Sequence, residues 1–553
     1  MIKRSLLATS IAIAFAQQAS AAPLVPIDAR GLGMGGTGVA SAKLAHAPQY
    51  NPALLSMADA EDDFAIIFPQ LGALASDEDE MVESFDSLSK DKYEGSSTGE
   101  SIIDHFEGIT DQLDTILVSG GSGTISIEQQ ITNFQTLISN VPGNGGDDST
   151  SAADLTTATT NLNNSATALT AQTQDLQSTT FDLTSELSAM SGRHVNGTLG
   201  VNGTIAIPSK SFAAAISVSG AAYFSGRMFF TDSDNTLLNG YAEAMNEYAT
   251  ATQDYTLATQ QLAQATQALE ACTGASSCTA AEQNAVDAAA TNAESKQTSL
   301  QNFEYEKDGR TILSADSVTG DIDLDDELTS NVQIVAVGVT ELGLTFSREF
   351  EISGEKIAIG LTPKLQNIRT YNYVATVDDE DIKRKDITET EQKFSSFNMD
   401  AGAAYQFGAS NQWQVGVVAK NLISKEYETE SNRNSTTGEI TKTKISLDTQ
   451  FRGGISHSTD WSVIAFDVDL MENDPVAFES ATQYASIGAE LDLYDTFQLR
   501  TGYRKNLSDT DASVASIGFG LSIYGAHVDI AAIANPSKLE KEAGAALELG
   551  FYF

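Results

Sequence analysis

Gly31-Leu-Gly33-Met-Gly35-Gly36 meets the G-x-G-x-x-G spacing, whose glycines let a backbone turn closely around a pyrophosphate. That chemistry needs a strand before the glycines. Here the preceding residues read as a secretion signal over 1–21. Lys3 and Arg4 are its charged start, Leu6 to Ala16 its short apolar run, and Ala19-Ser20-Ala21 its cleavage site. A nucleotide site is therefore set aside. Cys272 and Cys278 flank Thr-Gly-Ala-Ser-Ser. In an exported chain they are expected to form a disulfide closing a tight turn, rather than a metal or redox pair. His46, His105, His194, His457 and His527 are dispersed with no ligand spacing. No G-x-S-x-G elbow is present. Neither an enzyme nor a bound metal or cofactor is expected.

The charge that remains sits in alternating segments. Arg500 and Arg504 lie opposite Phe497, Leu499 and Tyr503, and Asp469 lies opposite Ile464, Phe466, Val468 and Leu470. Glu490 lies opposite Ile487, Ala489, Leu491 and Leu493. Strand side chains alternate with period 2, so each segment has one apolar and one polar face. Asp448, Arg452, Asp469, Glu490, Arg500 and Arg504 are the residues expected to line or brace an interior. They serve either a passing solute or an ion-paired ladder that fills space.

Such segments recur near 62–68, 193–207, 211–230, 329–350, 355–375, 392–408, 411–429, 441–457, 460–471, 481–493, 496–505, 512–523, 525–534 and 544–553. The number is even, as a single-chain bacterial barrel requires. The last segment puts Ala545, Leu547, Leu549, Phe551 and Phe553 on one face and ends on an aromatic residue. Short connections alternate with long ones. Trp413, Trp461 and Phe497 fall at the short-turn end, where an aromatic girdle belongs. The expected fold is an all-β membrane protein. It is an antiparallel outer-membrane β-barrel over 61–553 with about 14 strands, and it lies in the outer membrane of a Gram-negative bacterium. Pro363 falls mid-strand at an outward position, where it removes a ladder hydrogen bond.

Two long connections, 69–192 and 231–328, are expected to be helical and external. Leu155, Leu162, Leu169, Leu176 and Leu183 repeat every seventh residue, as do Tyr241, Tyr248, Tyr255, Leu262 and Leu269. Val286, Ala293 and Leu300 continue the spacing after the cysteine turn. That is the period of a coiled-coil seam. It predicts a helical hairpin in the second insertion and one projection built from both.

The net charge is −44, with 75 acidic against 31 basic residues. Such a chain repels a phosphate backbone, which disfavours nucleic acid as a partner. The acidity suits solubility in salty conditions. Alternatively, clusters such as Asp77-Glu-Asp-Glu80 and Asp378-Asp-Glu-Asp381 would hold divalent cations against lipopolysaccharide. Outer-membrane lipid and the barrel-assembly machinery, met through the carboxy-terminal strand, are the other expected partners.

The stretch Ala29-Arg-Gly-Leu-Gly-Met-Gly-Gly-Thr-Gly-Val-Ala-Ser-Ala42, followed by Gln49-Tyr-Asn-Pro-Ala-Leu-Leu55, resembles the mature amino terminus of FadL-type outer-membrane transporters. More closely, the chain resembles the FadL-like proteins called "conjugal transfer protein TraF", which are distinct from the thioredoxin-like TraF. The resemblance implies a hatch over 22–60 inside a 14-stranded barrel. Gly31, Gly33, Gly35, Gly36, Asn51, Pro52 and Ala53 carry its motif. It also implies passive uptake of hydrophobic small molecules. The helical insertions favour an alternative, a surface protein acting in conjugation or cell contact.

Overall fold

The computed structural model describes residues 27–57, 64–90, 102–119, 125–142, 149–315, 328–352, 355–376, 384–433, 440–475, 477–478, 480–508 and 512–552. The signal segment, Asp378–Asp381 and Phe553 lie outside them. The chain divides into a barrel unit (Met1–Val82, Gly192–Phe229 and Asn331–Phe553) and a helical unit (Glu83–Ser191 and Phe230–Ser330).

Fourteen antiparallel strands close the barrel in chain order, the last pairing with the first. They are β1 (Ala65–Ser76), β2 (His194–Ile207), β3 (Ala213–Phe229), β4 (Asn331–Ile352), β5 (Glu355–Thr376), β6 (Gln392–Phe407) and β7 (Trp413–Lys420). The second half is β8 (Gln450–Ser458), β9 (Ser462–Asp469), β10 (Tyr484–Leu493), β11 (Phe497–Asn506), β12 (Ser513–Ile523), β13 (Ala526–Ala534) and β14 (Glu542–Tyr552). Closure leaves no unpaired edge, the condition for crossing hydrocarbon with strands. The outward positions are apolar and exposed, as at Ile464, Ile487, Ile517, Ile530 and Leu547. Their inward neighbours Asp467, Glu490, Arg500, Ser516 and Glu548 are buried. Among the described residues no helix is long and apolar enough to cross a membrane.

One barrel end carries tight turns. Tyr494-Asp495 and Tyr524-Gly525 both take positive φ, the geometry of a two-residue hairpin turn whose twist matches its strands. Exposed and half-buried aromatics ring this end. Phe212 stacks on Phe346, Phe407 on Tyr405 and Trp413, and Phe497 tilts against Phe519. Trp461, Tyr494 and Tyr524 are exposed at the turns themselves.

Three segments differ from the sequence expectation. β1 runs on to Ser76 instead of stopping before Pro69, because a bulge between Ile67 and Gln70 absorbs the proline. The segments read as 411–429 and 441–457 are not continuous staves. Lys425–Glu428 pairs with Lys444–Leu447 in a separate ribbon between β7 and β8. Tyr427, Ile445 and Leu447 of this ribbon pack on the inward side chains Val335, Val337, Val339 and Ile368. The alternation is genuine, but its apolar face meets the lumen wall and not lipid. Asp448 follows Leu447 and lies outside the barrel staves, half-buried. Pro363 keeps its place opposite Met399 on the neighbouring strand.

The cluster Asp77–Glu80 is engaged by protein groups. Asp77 accepts from the Met81 and Val82 amides, Asp79 pairs with His194, and Glu80 pairs with Lys538 and Lys541. Asp77 caps the helix Met81–Lys90, and Asp79 and Glu80 form an ion-pair knot rather than a loose cation site.

The helical unit joins both insertions around one core. Helices α3 (Ile102–Asp114) and α4 (Ile127–Ser139) precede α5 (Ala152–Met190), all in the first insertion. Helices α6 (Asp232–Gly274) and α7 (Ala280–Gln301) form the hairpin of the second. Ser151 and Thr279 start α5 and α7 with capping boxes to Asp154 and Glu282. Cys272 and Cys278 form a disulfide at the hairpin turn. The leucines and tyrosines at seven-residue spacing supply one seam position, although Leu183 is half-buried and Thr184 is buried in its place. The second seam position is threonine or alanine: Thr159, Ala166, Thr173 and Thr180 on α5, and Thr252, Thr259 and Thr266 on α6. The hydroxyls of Thr173, Thr252, Thr259 and Thr266 are satisfied within their own helix, as Thr252 to the Tyr248 carbonyl at 2.9 Å and Thr266 to Leu262 at 2.9 Å, whereas those of Thr159 and Thr180 are buried with no hydrogen-bond partner among the described residues. Asn246 to Gln177 and Gln253 to Thr170 tie the two insertions together.

Candidate functional site: a hatch in the lumen

Residues 27–57 lie inside the barrel. Two short α-helices, α1 (Ala29–Gly33) and α2 (Ala47–Tyr50), and two 3-10 turns (Leu44–His46 and Pro52–Ser56) form a compact plug. Asp28 caps α1 through the Gly31 amide at 2.6 Å, and its other oxygen takes the Tyr50 hydroxyl at 2.5 Å. Tyr50 lies against the hatch glycines: a Cβ at Gly31 or Gly38 would fall 1.6 or 2.1 Å from its side chain. Gly35 and Gly36 sit at positive φ, which turns the chain after α1. The G-x-G-x-x-G pattern thus serves packing around Tyr50 and a turn. Asn51 caps the Pro52–Ser56 turn through the Ala53 amide, and its Nδ2 donates to Val39 and Ala403 carbonyls.

The wall is shaped to receive this plug. Gly360, Gly402, Gly416, Gly454, Gly488 and Gly502 abut hatch atoms. Gly360–Gly402, Gly416–Gly454 and Gly488–Gly502 are directly opposed pairs in the ladder. Glycine inside a strand commonly marks close approach of another backbone. Sequence reading missed these positions. Their signal was recurrence of glycine on the inward parity of neighbouring strands.

Charge fixes the plug. Arg30 makes a forked pair with Glu490, at 3.0 and 3.2 Å, and Arg500 Nε reaches the same carboxylate at 2.6 Å. Arg500 also pairs with Asp529. Asp467 accepts from the Gly38 and Val39 amides at 2.7 and 2.9 Å. Arg452 pairs with Asp469 at 2.6 Å, and Arg504 with Glu542. Of the expected interior residues, Glu490 and Arg500 thus bear on the hatch, whereas Arg452–Asp469 and Arg504 brace the wall. Arg30, Asp467, Asp529 and Glu548 were missed. The signal for Arg30 was a lone cation within a Gly-rich run.

His46 Nε2 lies 2.9 Å from Glu548 and 3.7 Å from Asp28. Among the described residues these three could hold a cation, their ligand atoms lying within 4.8 Å of one another. Gln70 holds the other Glu548 oxygen at 2.9 Å. Both carboxylates meet the same ring nitrogen and favour charge on the imidazole, while His46 Nδ1 is buried with no hydrogen-bond partner among the described residues. Burial opposes that charge and Arg30 repels it, yet Glu548 and Asp28 outweigh both and raise the His46 pKa above its ordinary 6.5. A raised pKa contributes stability fully below about 6.5 and loses it as pH climbs through the folded-state value. Protease protection of the hatch should therefore be greatest in mildly acidic medium and fall as the medium turns alkaline. His46→Gln should flatten that profile, and an unchanged profile would show that another group sets it.

A cavity of about 180 Å³ remains between the hatch, the ribbon and the wall of β2 to β8. Hatch residues Ile27, Pro48, Gln49 and Tyr50 form one side, and Leu447 of the ribbon another. On the outer wall an apolar groove of about 700 Å³ crosses β14, β1, β2, β3 and β4. Gly220, Ala221 and Val339 border both the cavity and the groove.

A closed 14-stranded membrane barrel with an amino-terminal plug defines the class. The chain belongs to the TraF_2 family, "F plasmid transfer operon, TraF, protein", whose profile matches residues 48–145 and 123–469. No curated protein sequence matches it. Among solved structures it is similar to the Ralstonia pickettii toluene transporter TbuX, at 9% identity over 96% of this chain and 99% of that one, TM-score 0.42. It is also similar to the P. putida toluene transporter TodX, at 8% identity over 96% and 99%, TM-score 0.40. A Pseudomonas aeruginosa FadL homologue matches at 8% identity over 97% and 99%, TM-score 0.39.

Proposed function

We propose that this protein is a hatch-gated outer-membrane channel for passive entry of small, largely apolar molecules. The observation that carries the reading is the cavity beside the hatch, separated from an apolar groove on the lipid-facing wall by the small residues Gly220 and Ala221. A solute leaving the cavity sideways would meet lipid rather than water. β14 seals the barrel against β1, which suits recognition of the carboxy-terminal strand by assembly machinery. Lipopolysaccharide would flank the outward face. Flux of toluene into liposomes tests the reading. Full-length protein should exceed empty vesicles, and a variant lacking 27–57 should also pass small hydrophilic dyes. Toluene entry equal to that of empty vesicles would reject it.

A second reading is contact with another cell or assembly through the helical unit. It is favoured by the 39- and 43-residue helices α5 and α6, which have a core of their own. Deleting 235–306 separates the two. Lost cell contact with toluene flux retained supports the second, and the converse supports the channel.

A further inference from the structure

The cavity beside the hatch is not lined as a hydrocarbon site would be. Three nitrogen donors border it on the adjacent strands β7 and β8: Lys420, Gln450 and Arg452. Gln450 and Lys420 are directly opposed in the ladder. Gln450 and Arg452 are each 3% exposed. Gln450 Nε2 and Arg452 Nη2 are buried and have no hydrogen-bond partner among the described residues. Lys420 Nζ donates to the Gln49 carbonyl of the hatch at 2.5 Å, and among the described residues no carboxylate forms an ion pair with it.

The carboxylates nearby are already committed. Glu341 and Asp400 border the cavity, and both hold Lys364, at 3.1 and 3.0 Å. Asp469 takes Arg452 Nε, and Asp467 takes the two hatch amides. Arg452 is thus answered by Asp469 and Lys364 by two carboxylates, which leaves Lys420 as the cation of the lining without an ion-pair partner among the described residues. A neutral occupant would leave the Arg452 and Gln450 donors unpaired, which costs free energy in a buried site. A carboxylate offers acceptors to a guanidinium, an amide and an ammonium at once. Tyr223, Val339 and Leu447 add apolar surface to the same cavity.

We propose that the cavity binds a small organic carboxylate with a compact apolar body, its anionic group held by Lys420, Gln450 and Arg452. The volume of about 180 Å³ suits a single ring or short chain rather than a long alkyl tail. The inference rests on the channel reading for its biological sense, but not for its chemistry.

Full-length protein in detergent, titrated with benzoate, toluene and benzylammonium, tests it. The three probes share a ring and differ in charge. Benzoate should bind at least about tenfold more tightly than either of the others. Gln450→Leu and Lys420→Met should each weaken benzoate by about tenfold and leave toluene unchanged, while Lys420→Arg should retain binding. Lys420 touches the hatch, so Gln450→Leu is the variant that keeps the result independent of hatch seating. Toluene binding as tightly as benzoate, or benzoate binding unmoved in both variants, would overturn the inference. Liposome flux separates the two claims. Toluene entry without any benzoate preference refutes the carboxylate site and leaves the channel standing. Benzoate binding without flux of any probe refutes the channel and leaves the site standing.

Discussion

Glu490→Gln should unseat the hatch. The carboxylate is 2% exposed and faces two guanidiniums, Arg30 from the plug and Arg500 from the wall. Glutamine keeps the shape and removes the charge, leaving Arg30 buried without its counterion. Breaking a buried pair from one side typically costs about 3–5 kcal/mol, because the remaining charge is uncompensated. The barrel itself is held by its closed ladder, so the loss should fall on the plug. In planar bilayers the variant should open to a steady conductance that the parent lacks, and protease should reach 27–57. Arg30→Met combined with Glu490→Gln should recover part of the loss, since coupled neighbours are not additive. A closed, protected hatch in the single variant would show that Arg30–Glu490 contributes nothing to seating.

Gly502→Val should give a similar opening by a steric route. A Cβ at Gly502 would lie 2.3 Å from the Gly35 amide nitrogen and from the Met34 carbonyl carbon. These are backbone atoms and cannot rotate aside. Gly488 has the same relation to the Met34 carbonyl oxygen, also at 2.3 Å. The strands are fixed by hydrogen bonds on both sides, so the plug must move. Overpacking of this kind costs about 1–3 kcal/mol or more. Gly338→Ala is the control. It points outward and would meet only the Arg369 Cβ, at 3.9 Å. Conductance should rise for Gly502→Val and stay at the parental level for Gly338→Ala. Equal, closed behaviour of both would mean the hatch is not seated against these glycines.

Much of this architecture was legible in the chain itself. Fourteen staves could be read because lipid and lumen impose opposite polarity on alternate residues, and every stave carries that record locally. Turn parity was legible because short connections such as Tyr494-Asp495 alternate with long ones along the chain, as the two ends of a membrane barrel require. The seven-residue seam of α5 and α6 was visible through its leucines and tyrosines. Its threonine half was not, because a buried threonine bonded to its own helix looks like a surface threonine.

Tertiary structure decided what the alternation faces. The ribbon Lys425–Glu428 with Lys444–Leu447 has the pattern of a stave, yet its apolar side meets the lumen wall, since period 2 records that a face is buried and not by what. The partner of Arg30 lies 460 positions away, and the donors left by Lys420, Gln450 and Arg452 become a site because closure brings β7 and β8 against the hatch. Local polarity is written residue by residue. Which charges remain unanswered is a sum over the whole lumen, and only the closed barrel performs it.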